Sequence, residues 1–253
     1  VIPEALSVQI MNQSDRILIG KIVGATSAGI FSIAMTISYV VWILEDSVWN
    51  AWIPWLYEKI AREEADEVEK PWTIVMHMFG LLSWLLVVLA PEEILILGGV
   101  RYQDAVWLVA PLVTGTLFRF FSYSYSAVQN YYKRTQYVAM GTIGSMIFNL
   151  IISYIGITLF GYMAAAYMMA ISYFVLLLMQ GILEHKLTGM VIVPLKKTVK
   201  IALIYLAVNL ATMGLYNVPW FIRYVVILVV ALAAFKMFYP DMKAVLKMIK
   251  KKK

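Results

Sequence analysis

The chain has 253 residues, 62% of them hydrophobic and only 14% charged, and its mean hydropathy of +0.79 exceeds what a water-soluble domain can bury. It contains no cysteine, which excludes a disulfide framework and a thiolate metal centre. Its net charge of +6 sits mainly between apolar runs and in the tail, the distribution of membrane loops and not of a nucleic-acid-binding face.

In a bilayer each crossing segment must satisfy its own backbone, which leaves helices or closed barrels. The run from Tyr224 to Phe235 is apolar at every position, without the alternation of a barrel strand, so the fold class is all-α, a polytopic helical membrane protein. About eight crossings are expected, at roughly 20 residues each. The first runs from Glu4 to Val23 and is interrupted by Asn12, Gln13, Ser14, Asp15 and Arg16. The others run from Ser27 to Leu56, Trp72 to Ala90, Ala105 to Val128, Tyr137 to Phe160, Tyr162 to Leu183, Val199 to Tyr216 and Pro219 to Tyr239.

Most of the 21 lysines and arginines fall on one side of this arrangement: Lys59, Arg62 and Lys70; Lys133 and Arg134; Lys186, Lys196, Lys197 and Lys200; and the lysines from Lys236 onward. The positive-inside rule then puts both termini in the cytoplasm. The polar stretch from Glu58 to Lys70 is read as a cytoplasmic helical extension, and the basic tail from Met242 as an anchor on anionic inner-leaflet lipid. Val1 in place of Met, with no signal sequence after it, leads us to expect that the chain begins inside a longer protein.

Charged side chains at membrane depth cost roughly 2.5–3.5 kcal/mol each and mark partners or watery cavities. Five are expected there: Asp15, Arg16, Glu45, Asp46 and Arg119. Thr116, Arg119, Ser122, Tyr123, Ser126 and Asn130 follow one helical face, a polar stripe that lines either a cavity or a helix interface. The Arg119 guanidinium there either meets a phosphate-bearing headgroup, with Tyr123 beside it, or closes a salt bridge with a carboxylate on another helix.

Trp42, Glu45, Trp49 and Trp52 share a second face, flanked by Asp46 and Asn50. Trp42 and Trp49 are candidates to stack on sugar rings, or else to anchor the helix at the headgroup level. Glu45 or Asp46 is a candidate for ion coupling or pairing. Asp15 and Arg16, adjacent in sequence and so about 100° apart on a helix, each need a partner elsewhere. Gly20, Gly24 and Ala28 have the spacing of a close helix contact. His77 and His185 are too isolated for a metal site, and no Walker sequence is present, so neither a metal, a cofactor nor ATP hydrolysis is expected.

Several motifs in order resemble a known family. Pro3–Ser7 is followed by Asn12 to Gly20; Ala28-Gly29-Ile30-Phe31-Ser32 opens the second segment and Ile53-Pro54-Trp55-Leu56-Tyr57-Glu58-Lys59 closes it. Ala90-Pro91-Glu92, Gly98-Gly99, Tyr102, Asn149, Phe160-Gly161 and Ala164-Ala165-Ala166-Tyr167 complete the series. Together they resemble the C-terminal half of polysaccharide flippases of the O-antigen type, in the multidrug, oligosaccharidyl-lipid and polysaccharide exporter superfamily. The resemblance implies two six-helix lobes around a cavity, followed by two extra helices. Residues 1–183 would be the second lobe, 184–198 a cytoplasmic loop, 199–239 the extra pair and 240–253 the basic tail.

It also implies a bacterial inner-membrane transporter, not an enzyme, that flips an oligosaccharide linked to undecaprenyl diphosphate. Its partners would be that lipid-linked oligosaccharide, membrane lipids, and an N-terminal lobe or second copy as the opposite wall. Trp42, Glu45 and Asp46 depart from the smaller, uncharged residues of the family at those positions. The alternatives are a drug or cation antiporter of the same superfamily, a membrane-embedded oligosaccharide polymerase, and a scaffold without transport.

Overall fold

In the computed structural model, which describes residues 2–188, 193–233 and 236, every regular element is helical. The helices are α1 (Ile2–Ile22), α2 (Ala25–Ala61), α3 (Glu69–Val88), α4 (Ala90–Gly98), α5 (Val106–Tyr131), α6 (Thr135–Phe160), α7 (Met163–Thr188) and α8 (Leu195–Thr212). A further apolar helix, α9, covers Trp220–Ala233. Six of these, α2, α3, α5, α6, α7 and α8, are long and apolar enough to cross a bilayer. The chain is a polytopic helical membrane protein. Of the eight crossings expected, α1 has the length but its polar centre sets it apart from the six, and α9 is too short over its described residues. The basic tail lies outside the described residues.

The residues from the N-terminus to Met213 make one compact unit. Its plan is a ring of six long helices around a seventh. Going round the ring, α2 touches α1, α1 touches α6, α6 touches α7, α7 touches α8, α8 touches α3 and α3 returns to α2, while α5 runs through the middle. The consequence is that 94% of the apolar stretch of α5 is buried, against 28% of that of α6 on the rim. The closest approach is between α5 and α7, where small residues permit it: Gly115 faces the Ala170 backbone, and Ala164, Ala165 and Ala166 are all buried. The second unit begins at Gly214 and contains α9. Helix α8, which covers the first of the two extra helices that the resemblance implies, lies within the first unit.

Helices α3 and α8 run side by side in the same direction, joined by polar rungs. Lys197 Nζ donates to Glu69 at 2.7 Å, Tyr205 Oη to the His77 carbonyl at 3.1 Å, and Trp84 Nε1 to Thr212 Oγ1 at 3.1 Å. Each rung joins residues 128 apart in sequence, as two parallel helices of equal rise require. Asn209 adds bonds to Ser83 and to Thr114 on α5. Parallel α3 and α8 agree with a chain that reverses at each long helix between them.

Helix α2, 37 residues and so about 55 Å long at 1.5 Å per residue, outreaches the roughly 30 Å of hydrocarbon. Of the helical extension expected from Glu58 to Lys70, only Glu58–Ala61 continue α2; the chain then turns through a short 3-10 helix, Ala65–Glu67, into α3, and Lys59 binds Glu64 at 2.6 Å and Glu67 at 2.5 Å across the turn. That lysine holds the Glu64 carboxyl below the usual carboxylate range.

Gly24 corrects one expectation. It is not part of a continuous small-residue helix face but the break between α1 and α2, with φ at 128°, where only glycine is at ease. The close contact expected of that motif survives across the turn, where a Cβ on Gly20 would lie 3.8 Å from that of Ala28.

Helix α4, nine residues with Pro91 in its first turn, was not expected. It carries Glu93, whose carboxyl is pushed up to about 7 by burial and by the neighbouring Glu92. The folded protein therefore prefers this group protonated. Its destabilising ionisation is absent below the ordinary carboxylate value, grows as pH rises from about 4.5 to 7 and is complete above that. Glu93→Gln is expected to raise the melting temperature at pH 8 and to leave it unchanged near pH 4.5. A gain equal at both pH values would mean that Glu93 stays ionised throughout.

Candidate functional site: polar clusters at membrane depth

Arg119 lies mid-way along the enclosed α5, where an arginine must find its counter-charge inside the bundle. It pairs through Nη2 with Glu45 Oε2 from α2, and Nη1 donates to Tyr123 Oη one turn along at 2.7 Å. The Trp42 ring covers the guanidinium, its centroid 3.8 Å from Cζ, and the Tyr123 ring lies 5.1 Å away. Glu45 is 1% exposed and Arg119 4%, whereas Trp42 is half-buried and Asp46 exposed. The site is thus a buried ion pair under one aromatic lid. Of the two roles open to Arg119, the salt bridge to a carboxylate is the one present here, and its partner is Glu45 rather than Asp46.

The polar stripe around Arg119 does not line an open cavity. Thr116 and Ser122 spend their hydroxyls on the carbonyls of Leu112 and Arg119, and both are buried among neighbouring helices. Trp49 offers no free ring face. It packs against Trp72, Phe120 and Tyr123 at centroid distances of 5.4, 5.4 and 5.7 Å, and is 8% exposed. Trp52 joins the same cluster through Trp72. Of the aromatic face expected from sequence, Trp42 alone stands at the boundary of the protein.

Asp15 and Arg16 diverge as their spacing requires. Asp15 is completely buried on α1, and its polar neighbours are Asn149 and Ser153 of α6. Around it Tyr173 Oη donates to Asn12 Oδ1 at 2.7 Å, and Asn149 Nδ2 donates to Ser172 Oγ at 3.1 Å and Ser153 Oγ at 3.3 Å. Asn149 Oδ1 is left without a donor. The Asp15 carboxyl is thus buried among neutral polar side chains. Sequence reasoning did not single out Ser153, Ser172 and Tyr173 and used Asn149 only as a motif residue. The available signal was Ser145, Asn149 and Ser153, polar residues at four-residue spacing on an otherwise apolar helix.

Arg16 is exposed, in a groove between α1 and α2. One part of the groove, about 480 Å³, is lined by Gln13, Arg16, Gly20 and Ala28; the next, about 150 Å³, by Asn12, Arg16, Ser32, Thr36 and Tyr39. The groove continues a stripe on the outer side of α2. Ser32, Thr36, Tyr39, Asp46, Ser47 and Asn50 fall within about 100° of the helix circumference, opposite the buried Glu45, Trp49 and Trp52. Thr36, Asp46, Ser47 and Asn50 are all exposed. Sequence reasoning noted Asp46 and Asn50 but only as flanks of the tryptophan face.

No family model, curated protein or solved structure matches the chain. The site is accordingly interpreted from its own chemistry. Among the described residues no group of three or more His, Asp or Glu side chains is placed to hold a metal ion.

Proposed function

We propose that this chain forms one wall of a pathway that carries a lipid-linked oligosaccharide, with an anionic phosphate headgroup, between the leaflets of a bacterial inner membrane. The observation that carries the reading is the exposed polar stripe on α2, continued by Gln13 and Arg16 of α1. Exposed Asp46 and Arg16 would each cost roughly 2.5–3.5 kcal/mol against hydrocarbon, so the stripe faces water or protein. A flat polar wall becomes a conduit only with another wall opposite, supplied by a second lobe or a second copy. In this reading six helices around α5 make the lobe-like body, the segments expected at the two ends bring the crossings to eight, and both ends of the chain are cytoplasmic.

Arg119 supplies headgroup chemistry just behind the wall, since a guanidinium suits phosphate oxygens better than an ammonium does. Asp15, a fully buried acid whose polar neighbours Asn149 and Ser153 are neutral, is the coupling site, because a proton or a small cation would neutralise its charge there. The direct test is reconstitution in vesicles with a fluorescent short-chain lipid-diphosphate oligosaccharide, scoring movement by the fraction protected from an external quencher. Wild-type protein is expected to accelerate equilibration, and Arg119→Gln to slow it at least tenfold. A rate equal to that of protein-free vesicles would overturn the reading. Asp15→Asn is expected to retain passive movement but to lose its dependence on a sodium gradient; an unaltered sodium dependence would remove Asp15 from coupling.

A further inference from the structure

The resident partner of Arg119 fits it poorly. Glu45 meets the guanidinium at Nη2, Tyr123 takes Nη1, and the buried Nε–H has no acceptor, just as the buried Glu45 Oε1 has no donor. A carboxylate engaging both nitrogens of one edge would have left neither atom idle. The pair neutralises charge but leaves one strong donor and one strong acceptor unused in a dry site, each a cost that a better-matched ligand would relieve. A phosphate, with its oxygens spread over a tetrahedron, can reach Nε and Nη2 together.

The way in is short. Trp42 is half-buried, and its own ring neighbour is Tyr39, edge-on at 5.6 Å. Tyr39 lines the polar groove of α1 and α2. The half-buried Trp42 ring thus lies between the guanidinium, 3.8 Å away, and Tyr39 of the groove.

Resting on the headgroup reading above, we propose that Glu45 and a phosphate anion compete for Arg119, so that the anion enters only as Glu45 accepts a proton. In the closed site the carboxylate of Glu45 neutralises Arg119. When a proton from the aqueous groove adds to Oε1, the neutral carboxylic acid gives up Nη2 and becomes a hydrogen-bond donor to the incoming ligand. A phosphate oxygen takes its place and supplies the negative charge. For each anionic oxygen that binds, one proton is taken up; on release the proton leaves Glu45 and the ion pair closes again.

Anion without proton would leave two negative groups sharing one guanidinium, and proton without anion would leave Arg119 buried and uncompensated; both are excluded by the cost of an unpaired charge in the bundle. The ionisable groups that face Glu45 are Asp46 on its own helix, Arg119 and Tyr123 on α5, and Tyr173 on α7. Asp15 of α1 reaches the set through Tyr173. From α3, Trp72 packs on the neighbouring Trp49, while Glu69 is held by Lys197 and His77 by Tyr205.

The test is the pH dependence of binding, with the full chain in lipid nanodiscs and a short-chain prenyl diphosphate esterified at both ends as the probe. Its charge does not change between pH 5 and 8, so any dependence belongs to the protein. Wild-type affinity is expected to fall by about tenfold per pH unit on the alkaline side of the Glu45 titration, the signature of one linked proton. Glu45→Gln, unable to compete as an anion, is expected to bind with the same affinity across the range and at least as tightly as wild type at pH 5. Arg119→Gln is expected not to bind at any pH.

Wild-type binding that is independent of pH, yet still abolished by Arg119→Gln, overturns the exchange and leaves the headgroup site standing. Undiminished binding by Arg119→Gln, or no binding by wild type and Glu45→Gln alike, removes the site itself. Should Glu45→Gln fail to fold, the wild-type profile decides alone, because a flat profile contradicts the exchange without any variant.

Discussion

Glu45→Ala, with Arg119 left in place, is expected to lower stability by roughly 3–5 kcal/mol, and a combined Glu45→Met and Arg119→Met change to recover most of that loss. The asymmetry comes from desolvation. The pair is 1% and 4% exposed, so removing the carboxylate leaves a guanidinium that can reach neither water nor another anion, apart from what Tyr123 and the Trp42 ring provide. Two methionines of similar volume need no solvation at all. Thermal unfolding in detergent of the wild type, Glu45→Met, Arg119→Met and the doubly changed protein completes a double-mutant cycle. A loss below about 1 kcal/mol for Glu45→Ala would mean that water already reaches Arg119 in the folded state. The doubly changed protein would be folded but unable to bind a headgroup, which separates the structural from the transport role of these residues.

The second large effect is expected at Gly115. A Cβ there would stand 3.0 Å from the Ala170 backbone Cα and 3.4 Å from the Tyr173 ring. Backbone cannot rotate away as a side-chain end does, so valine at this position must push α7 off α5. Gly115→Val is expected to cost about 1–3 kcal/mol, in the range of overpacked cores, and to raise proteolysis of the loops flanking α7. Because Tyr173 also bonds Asn12 beside Asp15, the variant should weaken coupling to an ion gradient as well. Unchanged melting together with unchanged proteolysis would show that the two helices are free to separate without cost.

The bundle was legible in outline because apolar length and interrupting polar residues mark crossings directly. The breaks before Ala25, Glu69, Val106, Thr135 and Met163 all fall close to where hydropathy places them. What hydropathy lacks is any distinction between a side chain that faces lipid and one that faces another helix, since both are apolar. Hence α5 reads like its neighbours in sequence although it is the enclosed helix, and of the cavity and the helix interface open to its polar stripe only packing selects the interface. Helix α4 escaped notice because nine residues with a proline in the first turn carry too little periodic signal.

Among the site residues, the need of Arg119 for either a phosphate or a carboxylate was readable from its residue type. Its choice of Glu45, 74 residues away, was not, because two carboxylates adjoin on α2 and only the phase of that helix against α5 decides between them. The same limit hid the meeting of Asp15 with Asn149 and Ser153, which depends on α1 lying against α6.

The distance in sequence between Glu45 and Arg119 also bears on how the protein is made. Helix α2 leaves the ribosome before α5 has been translated, and at about 5–20 residues per second the arginine follows the glutamate by roughly 4–15 s. For that interval the nascent α2 carries an acid without its partner, at a cost of roughly 2.5–3.5 kcal/mol in hydrocarbon, which closure of the ring around α5 then removes.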